Sequence, residues 1–123
     1  MVPSRIAEAA APVKLDEENR MAEESGIEIV QVDQGMAGEY HAHVPGSERV
    51  GRLTWVAHEG LEGTVRVAEH TLVPRELEGR GIARRLVEAM AEDARARGFR
   101  IKPVCSFVAA QFQRHPEWAD LRG

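Results

Sequence analysis

The chain has 123 residues, 43% of them hydrophobic and 29% charged, with a formal net charge of −4. These values describe one ordinary globular domain with one core, and exclude a large multidomain architecture and a disordered chain. No apolar run approaches the ~20 residues of a membrane helix, and a single cysteine, Cys105, excludes an internal disulfide framework and a multi-cysteine zinc site. The first residues have Arg5 and Glu8 inside their only apolar stretch, so no secretory signal is read there and a cytoplasmic location is expected. Residues 1–72 hold 13 acidic against 6 basic groups, and residues 73–123 hold 7 against 10. That modest basic half does not argue for nucleic acid, and neither a nucleic-acid nor a membrane partner is expected.

Residues 1–25 mix Ala, Pro and acids and read as an N-terminal extension, either mobile or forming short helices, ahead of a single domain over 26–123. Ile27 to Asp33 is short and β-branched, and Gln34-Gly35 is a turn signal. Gly38, Tyr40, Ala42 and Val44 alternate with Glu39, His41 and His43. After Pro45-Gly46-Ser47, Leu53, Trp55 and Ala57 alternate with Arg52, Thr54 and His58. Glu59 to Gly63 fits a five-residue hairpin loop. Thr64 to Val73 is predicted to put Val65, Val67, Thr71 and Val73 on one apolar face, with Glu69 among them.

The period then changes. Ile82, Leu86, Met90 and Ala94 mark one face of a helix from Ile82 to Arg97, with Arg84 and Glu88 spaced to pair on its outer side. Gly98 is a natural stop. Phe99 to Cys105 reads as a fifth strand whose Pro103 suits an edge or a splay, Ser106 as the cap of a helix from Phe107 to His115, and Pro116 as its end. The order β-β-β-β-α-β-α, with a right-handed crossover into the last strand, predicts an α+β fold. It has a mixed, mainly antiparallel five-stranded sheet with two packed helices.

The most informative segment links the fourth strand to the first helix: Val73-Pro74-Arg75-Glu76-Leu77-Glu78-Gly79-Arg80-Gly81-Ile82-Ala83. Two glycines allow close backbone approach, and the following helix start offers free N–H groups and partial positive charge. Together they suit a pyrophosphate, with Arg80, Arg84 and Arg85 in reach of outer phosphates; a plain tight turn is the alternative. A Walker A ending is absent, and Arg84 occupies the third glycine position of a dinucleotide fingerprint.

Gly79-Arg80-Gly81-Ile82-Ala83 after a strand resembles the acetyl-CoA loop of the GNAT N-acetyltransferases. The resemblance is nearest to their small YjdJ-like branch. It is carried by His70-Thr71-Leu72-Val73-Pro74 before the loop, and by Pro103-Val104-Cys105-Ser106-Phe107-Val108 and Arg114-His115-Pro116-Glu117-Trp118 after it. The resemblance implies acetyl-CoA as cosubstrate, with the pyrophosphate held by the backbone of Gly79, Arg80, Gly81, Ile82, Ala83 and Arg84. It also implies a pantetheine arm paired with the backbone of Thr71, Leu72 and Val73, and an amine acceptor. Glu78 departs from the family's usual Arg or Gln. The chain also lacks the two helices that usually wall the acceptor site, which predicts an open one.

Amine acetylation needs a base, stabilisation of the thioester oxygen, and a route for the leaving thiolate. The only tyrosine, Tyr40, is far in sequence from the place where many members of the superfamily carry a proton donor, and Phe107 stands near it instead. The branch places a cysteine at Cys105, ahead of a helix start that favours a thiolate, so it is a candidate acetyl carrier or proton donor; a small buried hydrophobe is the alternative. Glu69 and His70 are candidate bases, on opposite faces unless a bulge intervenes. His41, His43 and His58 could form a metal set, but a polar outer face explains them, and no metal is expected. The reading is an acetyltransferase acting on a small cationic amine or a protein lysine, with a non-enzymatic acyl-CoA-binding module as its rival.

Overall fold

Alternation of period two builds four antiparallel strands: β1 (Glu28–Asp33), β2 (Ala37–His43), β3 (Gly51–Gly60) and β4 (Gly63–Leu72). The computed structural model describes residues 26–123, and the expected extension over 1–25 lies outside the described residues. Helix α1 (Ile82–Arg97) crosses over to β5 (Arg100–Pro103), which joins β4 in parallel, and α2 (Ser106–Arg114) follows. The sheet order is β1-β2-β3-β4-β5, so the predicted α+β architecture with its mixed sheet is the observed one. Two 3-10 turns, Arg75–Leu77 and Pro116–Leu121, were not anticipated.

Gly98 closes α1 in the left-handed conformation, with its N–H on Ala94 O at 2.8 Å. Arg84 and Glu88 pair at 3.3 Å on the exposed face, as their spacing predicts. Strand β5 is shorter than Phe99 to Cys105, because its ladder with β4 ends at Ala68 opposite Pro103. Its outer edge is covered by the chain end, where Gly123 N–H donates to Ile101 O at 2.8 Å. The Glu59–Gly63 connection is tighter than expected: Gly60 and Gly63 still pair, leaving Leu61 and Glu62 as a two-residue turn.

The core face of the sheet carries Tyr40 and Ala42 from β2, Leu53 and Trp55 from β3, and Ala68 from β4. Against it α1 lays Ile82, Leu86, Val87, Met90 and Ala94, each worth up to about 2 kcal/mol of transfer free energy for the larger side chains. The helix start lies very close to the sheet. A Cβ on Gly51 would stand 2.8 Å from Ile82 Cγ2, so only glycine fits there.

The assignment of faces on β4 is corrected. Val65 and Val67 pair with His58 and Val56 on the outer face, while Arg66 and Ala68 face the core. Register then shifts by one residue: Trp55 opposes Ala68 but Thr54 opposes His70, leaving Glu69 as a bulge. The strand therefore changes face in mid-course, and Thr71 returns to the core side opposite Leu53.

Arg66 is buried between two aromatic rings, its guanidinium carbon 3.8 Å from the Trp55 ring centre and 4.2 Å from that of Phe99. Its Nη1 donates to Gln31 Oε1 at 2.8 Å and its Nη2 to Asp33 Oδ2 at 3.2 Å. Asp93 of α1 lies 3.8 Å from Nη1 and accepts the Tyr40 hydroxyl at 2.6 Å. Burial, the Asp93 charge and that hydrogen bond all raise the Tyr40 pKa well above its ordinary value.

Two outcomes follow. Tyr40→Phe should cost about 2 kcal/mol in urea denaturation, the worth of a hydrogen bond to a charged group. Because the folded phenol keeps its proton to higher pH than the unfolded one, Tyr40 stabilises fully below about pH 10 and loses that contribution as pH rises beyond it. The wild type should therefore weaken on alkaline titration relative to Tyr40→Phe, closing the gap between them; a constant gap would contradict the coupling.

Candidate active site

The parallel pairing of β4 and β5 fixes where the sheet opens. Ala68 O is the last acceptor between them, taking the N–H groups of both Val104 at 3.2 Å and Cys105 at 3.0 Å. Beyond it β4 runs on through Glu69, His70, Thr71 and Leu72, paired with β3 alone. One backbone edge of this stretch therefore faces a slot between β4 and the start of α2. Leu72 and Val104 are exposed apolar residues of the two segments bordering it.

From Leu72 the chain passes Val73 and Pro74 into the first 3-10 turn. Leu77 is buried and anchors the loop. Gly79 and Gly81 have φ of +84° and +72°, a region that residues with a Cβ rarely adopt, and the two flank the exposed Arg80. Gly81 is the N-cap of α1, and no side chain caps the helix. Its first turn contains no acidic residue. The N–H groups of Ile82, Ala83 and Arg84 therefore remain available to an anion. Glu78 is exposed and extended, which keeps this carboxylate in solvent. Arg84 reaches back over the loop, its Nη2 3.3 Å from the point where a Cβ on Gly81 would lie.

Cys105, not Ser106, is the N-cap of α2. Its Sγ is 3.5 Å from Thr71 Oγ1, across the slot. Burial is the largest influence on the thiol and pushes its pKa up. Hydrogen bonding from the Thr71 hydroxyl and from the backbone of Val108, Phe107 and Thr71 outweighs it, and the pKa falls below the ordinary thiol value. No single cap bond from the side chain has full hydrogen-bond geometry, so these backbone groups act as converging dipoles.

The bulge decides where the two candidate bases go. His70 lies opposite Thr54 on the outer face and is exposed, while Glu69 is the unpaired bulged residue. Neither side chain has a hydrogen bond or ion pair among the described residues. Tyr40 is spent in the core on Asp93, so it has no part in this site. The outer-face histidines do not form a metal set: His41 Nε2 is 2.6 Å from Glu39 Oε1, the His41 and His43 rings are 6.3 Å apart, and no cluster of three metal-binding side chains exists among the described residues. His115 stacks on Trp118 at 4.0 Å and pairs with Glu117, which makes that motif a brace for the chain end.

The Thr71–Cys105 contact was not foreseen, because it joins residues 34 apart across a slot that forms only when the strands part. The only signal for it was the pair of motifs flanking the loop.

A family model described as GCN5-related N-acetyl-transferase matches residues 39–121, about two thirds of the chain. The chain belongs to this family. A search of curated proteins found no match. The matched span runs from β2 to the last 3-10 turn, and so contains the loop, the slot and both helix starts.

The thiol gives a direct test. The rate of Cys105 alkylation against pH should show a midpoint below the ~8.5 of a free cysteine. Thr71→Val removes one of the groups that lower the pKa and should move that midpoint upward. Since the folded state favours the thiolate, the stability Cys105 adds is present above the ordinary thiol pKa and is lost as pH falls through the lowered one. A midpoint at or above the free value would refute the convergence of dipoles.

Proposed function

We propose that this acetyltransferase moves an acetyl group from acetyl-CoA to an amine acceptor, as a cytoplasmic enzyme of the small YjdJ-like branch. The observation that carries the reading is the coincidence of two features on consecutive segments. A strand edge is left unpaired from Glu69 to Leu72, and nine residues after Leu72 comes Gly81, the second of two left-handed glycines and the start of an uncapped helix. Backbone at Thr71, Leu72 and Val73 suits an extended amide-bearing arm, in the manner of an added strand. Gly79, Arg80, Gly81, Ile82, Ala83 and Arg84 suit a pyrophosphate. A CoA thioester has both parts in that order.

The residues then divide the work. Cys105, with its lowered pKa, suits attack by the thiolate on the thioester carbonyl, forming an acetyl thioester on Sγ as the carbon–sulfur bond to CoA breaks. His70 suits removal of a proton from the incoming ammonium, with Glu69 next to it on the bulge. The freed amine takes the acetyl group and Cys105 returns to thiolate. A protein that binds the thioester without transfer is the second reading, favoured by the burial of Tyr40 away from the slot.

Acetyl-CoA at a hundredfold excess over its Kd should stabilise the full chain by about 2.7 kcal/mol and raise Tm by roughly 10 °C. Gly81→Val should abolish that rise. Gly79→Asn checks the same point in a chain that folds, since a Cβ there meets nothing within 4 Å and Asn tolerates positive φ. An undiminished rise in both variants would show that the loop is not the site. Incubation with acetyl-CoA and no amine should add one acetyl group to the wild type and none to Cys105→Ala, read by intact mass. Binding without adduct or turnover across an amine panel would select the second reading.

A further inference from the structure

Of the chain's 16 lysine and arginine residues only two are lysines, Lys14 and Lys102. The difference matters beside an acyl donor. A guanidinium stays protonated and cannot attack a thioester, whereas a lysine amine can once it has lost a proton. Lys14 lies outside the described residues. Lys102 is on β5 and exposed, and its side chain has no hydrogen bond or ion pair among the described residues.

Its place on the strand sets what it can reach. Lys102 opposes Val67 in the β4–β5 ladder, one residue before Pro103 meets Ala68 and the two strands part. The chain then bends at once. Val104 N–H donates back to Lys102 O at 3.0 Å as well as to Ala68 O at 3.2 Å, a three-residue turn centred on Pro103. Cys105 follows, its own N–H on Ala68 O at 3.0 Å. Three residues fully extended span about 10 Å, and the turn makes the path from Lys102 to Cys105 shorter than that. A lysine stem of five bonds, each about 1.5 Å, reaches about 6 Å from its own Cα. No charge competes for the amine on this path: Arg100, two residues back, is paired with Glu62 at 3.2 Å, and Pro103 and Val104 are neutral. The one acid of β4 is Glu69, on the slot side of Val67.

We infer that Lys102 is a self-acetylation site: with no acceptor amine present, the acetyl group carried on Cys105 passes to Lys102 Nζ of the same chain. This rests on the reading of Cys105 as an acetyl carrier. The Lys102 ammonium first gives a proton to solvent hydroxide. The free amine attacks the thioester carbonyl, a carbon–nitrogen bond forms and the carbon–sulfur bond breaks. The second N–H proton ends on the Cys105 sulfur, and nothing is oxidised or reduced. A short tether gives the amine an effective concentration in the millimolar range, which favours Lys102 over any scarcer free amine. The product is an amide and does not return the acetyl group. Each chain is therefore modified once, and β5 loses one positive charge beside the slot.

The test starts from loaded protein. The full chain is given isotopically labelled acetyl-CoA, freed of the excess by gel filtration, and followed by intact mass before and after hydroxylamine, which strips a thioester and spares an amide. The hydroxylamine-resistant share of the label should rise with time until it is most of what remains, and peptide mapping should place it on Lys102. The first-order rate should not change on dilution. Lys102→Arg keeps the charge and should load equally, but almost all of its label should stay labile. Three results would overturn the inference: label that stays labile in the wild type, resistant label on Lys14 in place of Lys102, or a rate that falls on dilution. These leave Cys105 as carrier intact. A wild type that takes up no label at all removes the carrier reading itself, and the inference with it.

Discussion

Burying the Arg66 guanidinium between sheet and helix costs several kcal/mol of lost hydration, and the fold recovers it only by surrounding the group. Trp55 and Phe99 cover its faces, Gln31 and Asp33 take its Nη protons, and Asp93 supplies charge from α1. Arg97 extends the set, lying 3.5 Å from Asp93 and 3.4 Å from Asp33. The recovery is incomplete, because Arg66 Nε and Trp55 Nε1 have no partner. These groups come from β1, β3, β4, α1 and the α1–β5 connection. Remove any one of them and the others keep an uncompensated buried charge. The network therefore ties β1, a strand held to the sheet along one edge only, to the far end of α1.

That tie has a consequence at the opposite end of the helix. Sixteen residues of α1 span about 24 Å. The C-terminal half is held by Asp93 and Arg97, and the first turn by the contact of Ile82 with Gly51. Held at two points, the helix cannot pivot, and its uncapped N–H groups keep a constant aim. Preorganised donors are effective because no free energy is spent turning them at the moment of use. The aim of the helix start at Gly79 to Arg84, where we propose the pyrophosphate, thus depends on a charge network that touches none of its atoms.

The strand order, the crossover and both glycine boundaries of α1 were legible because each has a local cause: period-two alternation, a 3.6 period, and glycine where φ is positive. The face of β4 was not. Val65 and Val67 are the residues that ordinarily mark a buried face, and Arg66 is the type that ordinarily marks an exposed one. What reverses them is tertiary. Trp55 and Phe99 make a slot for a planar cation, and acids from β1 and α1 neutralise it. None of these is close to Arg66 in sequence. The bulge at Glu69 was illegible for a related reason, since one extra residue leaves no mark in composition and shows only in the partner strand's register. Cys105 was singled out from the motifs around it. Its cap position, one residue before Ser106, came from the early end of β5, where Pro103 has no N–H to continue the ladder.

The parallel pairing of β4 and β5 explains why the glycine loop and Cys105 follow the same edge of the sheet. Both strands end at the same edge of the sheet, so the helices that follow them begin there, α1 after the glycine loop and α2 directly after Cys105. Two helix starts then bring partial positive charge to one opening. One is uncapped and set beside glycines, which suits a pyrophosphate; the other has a thiol at its N-cap position, where hydrogen bonding favours the thiolate. An antiparallel β5 would have put the α2 start at the far end of β4, more than a helix turn away from the loop. The slot, the loop and the thiol are therefore products of one topological choice, the crossover through α1. The bulge at Glu69, next to the point where β5 parts from β4, turns His70 to the outer face and Thr71 to the core side, where it meets Cys105.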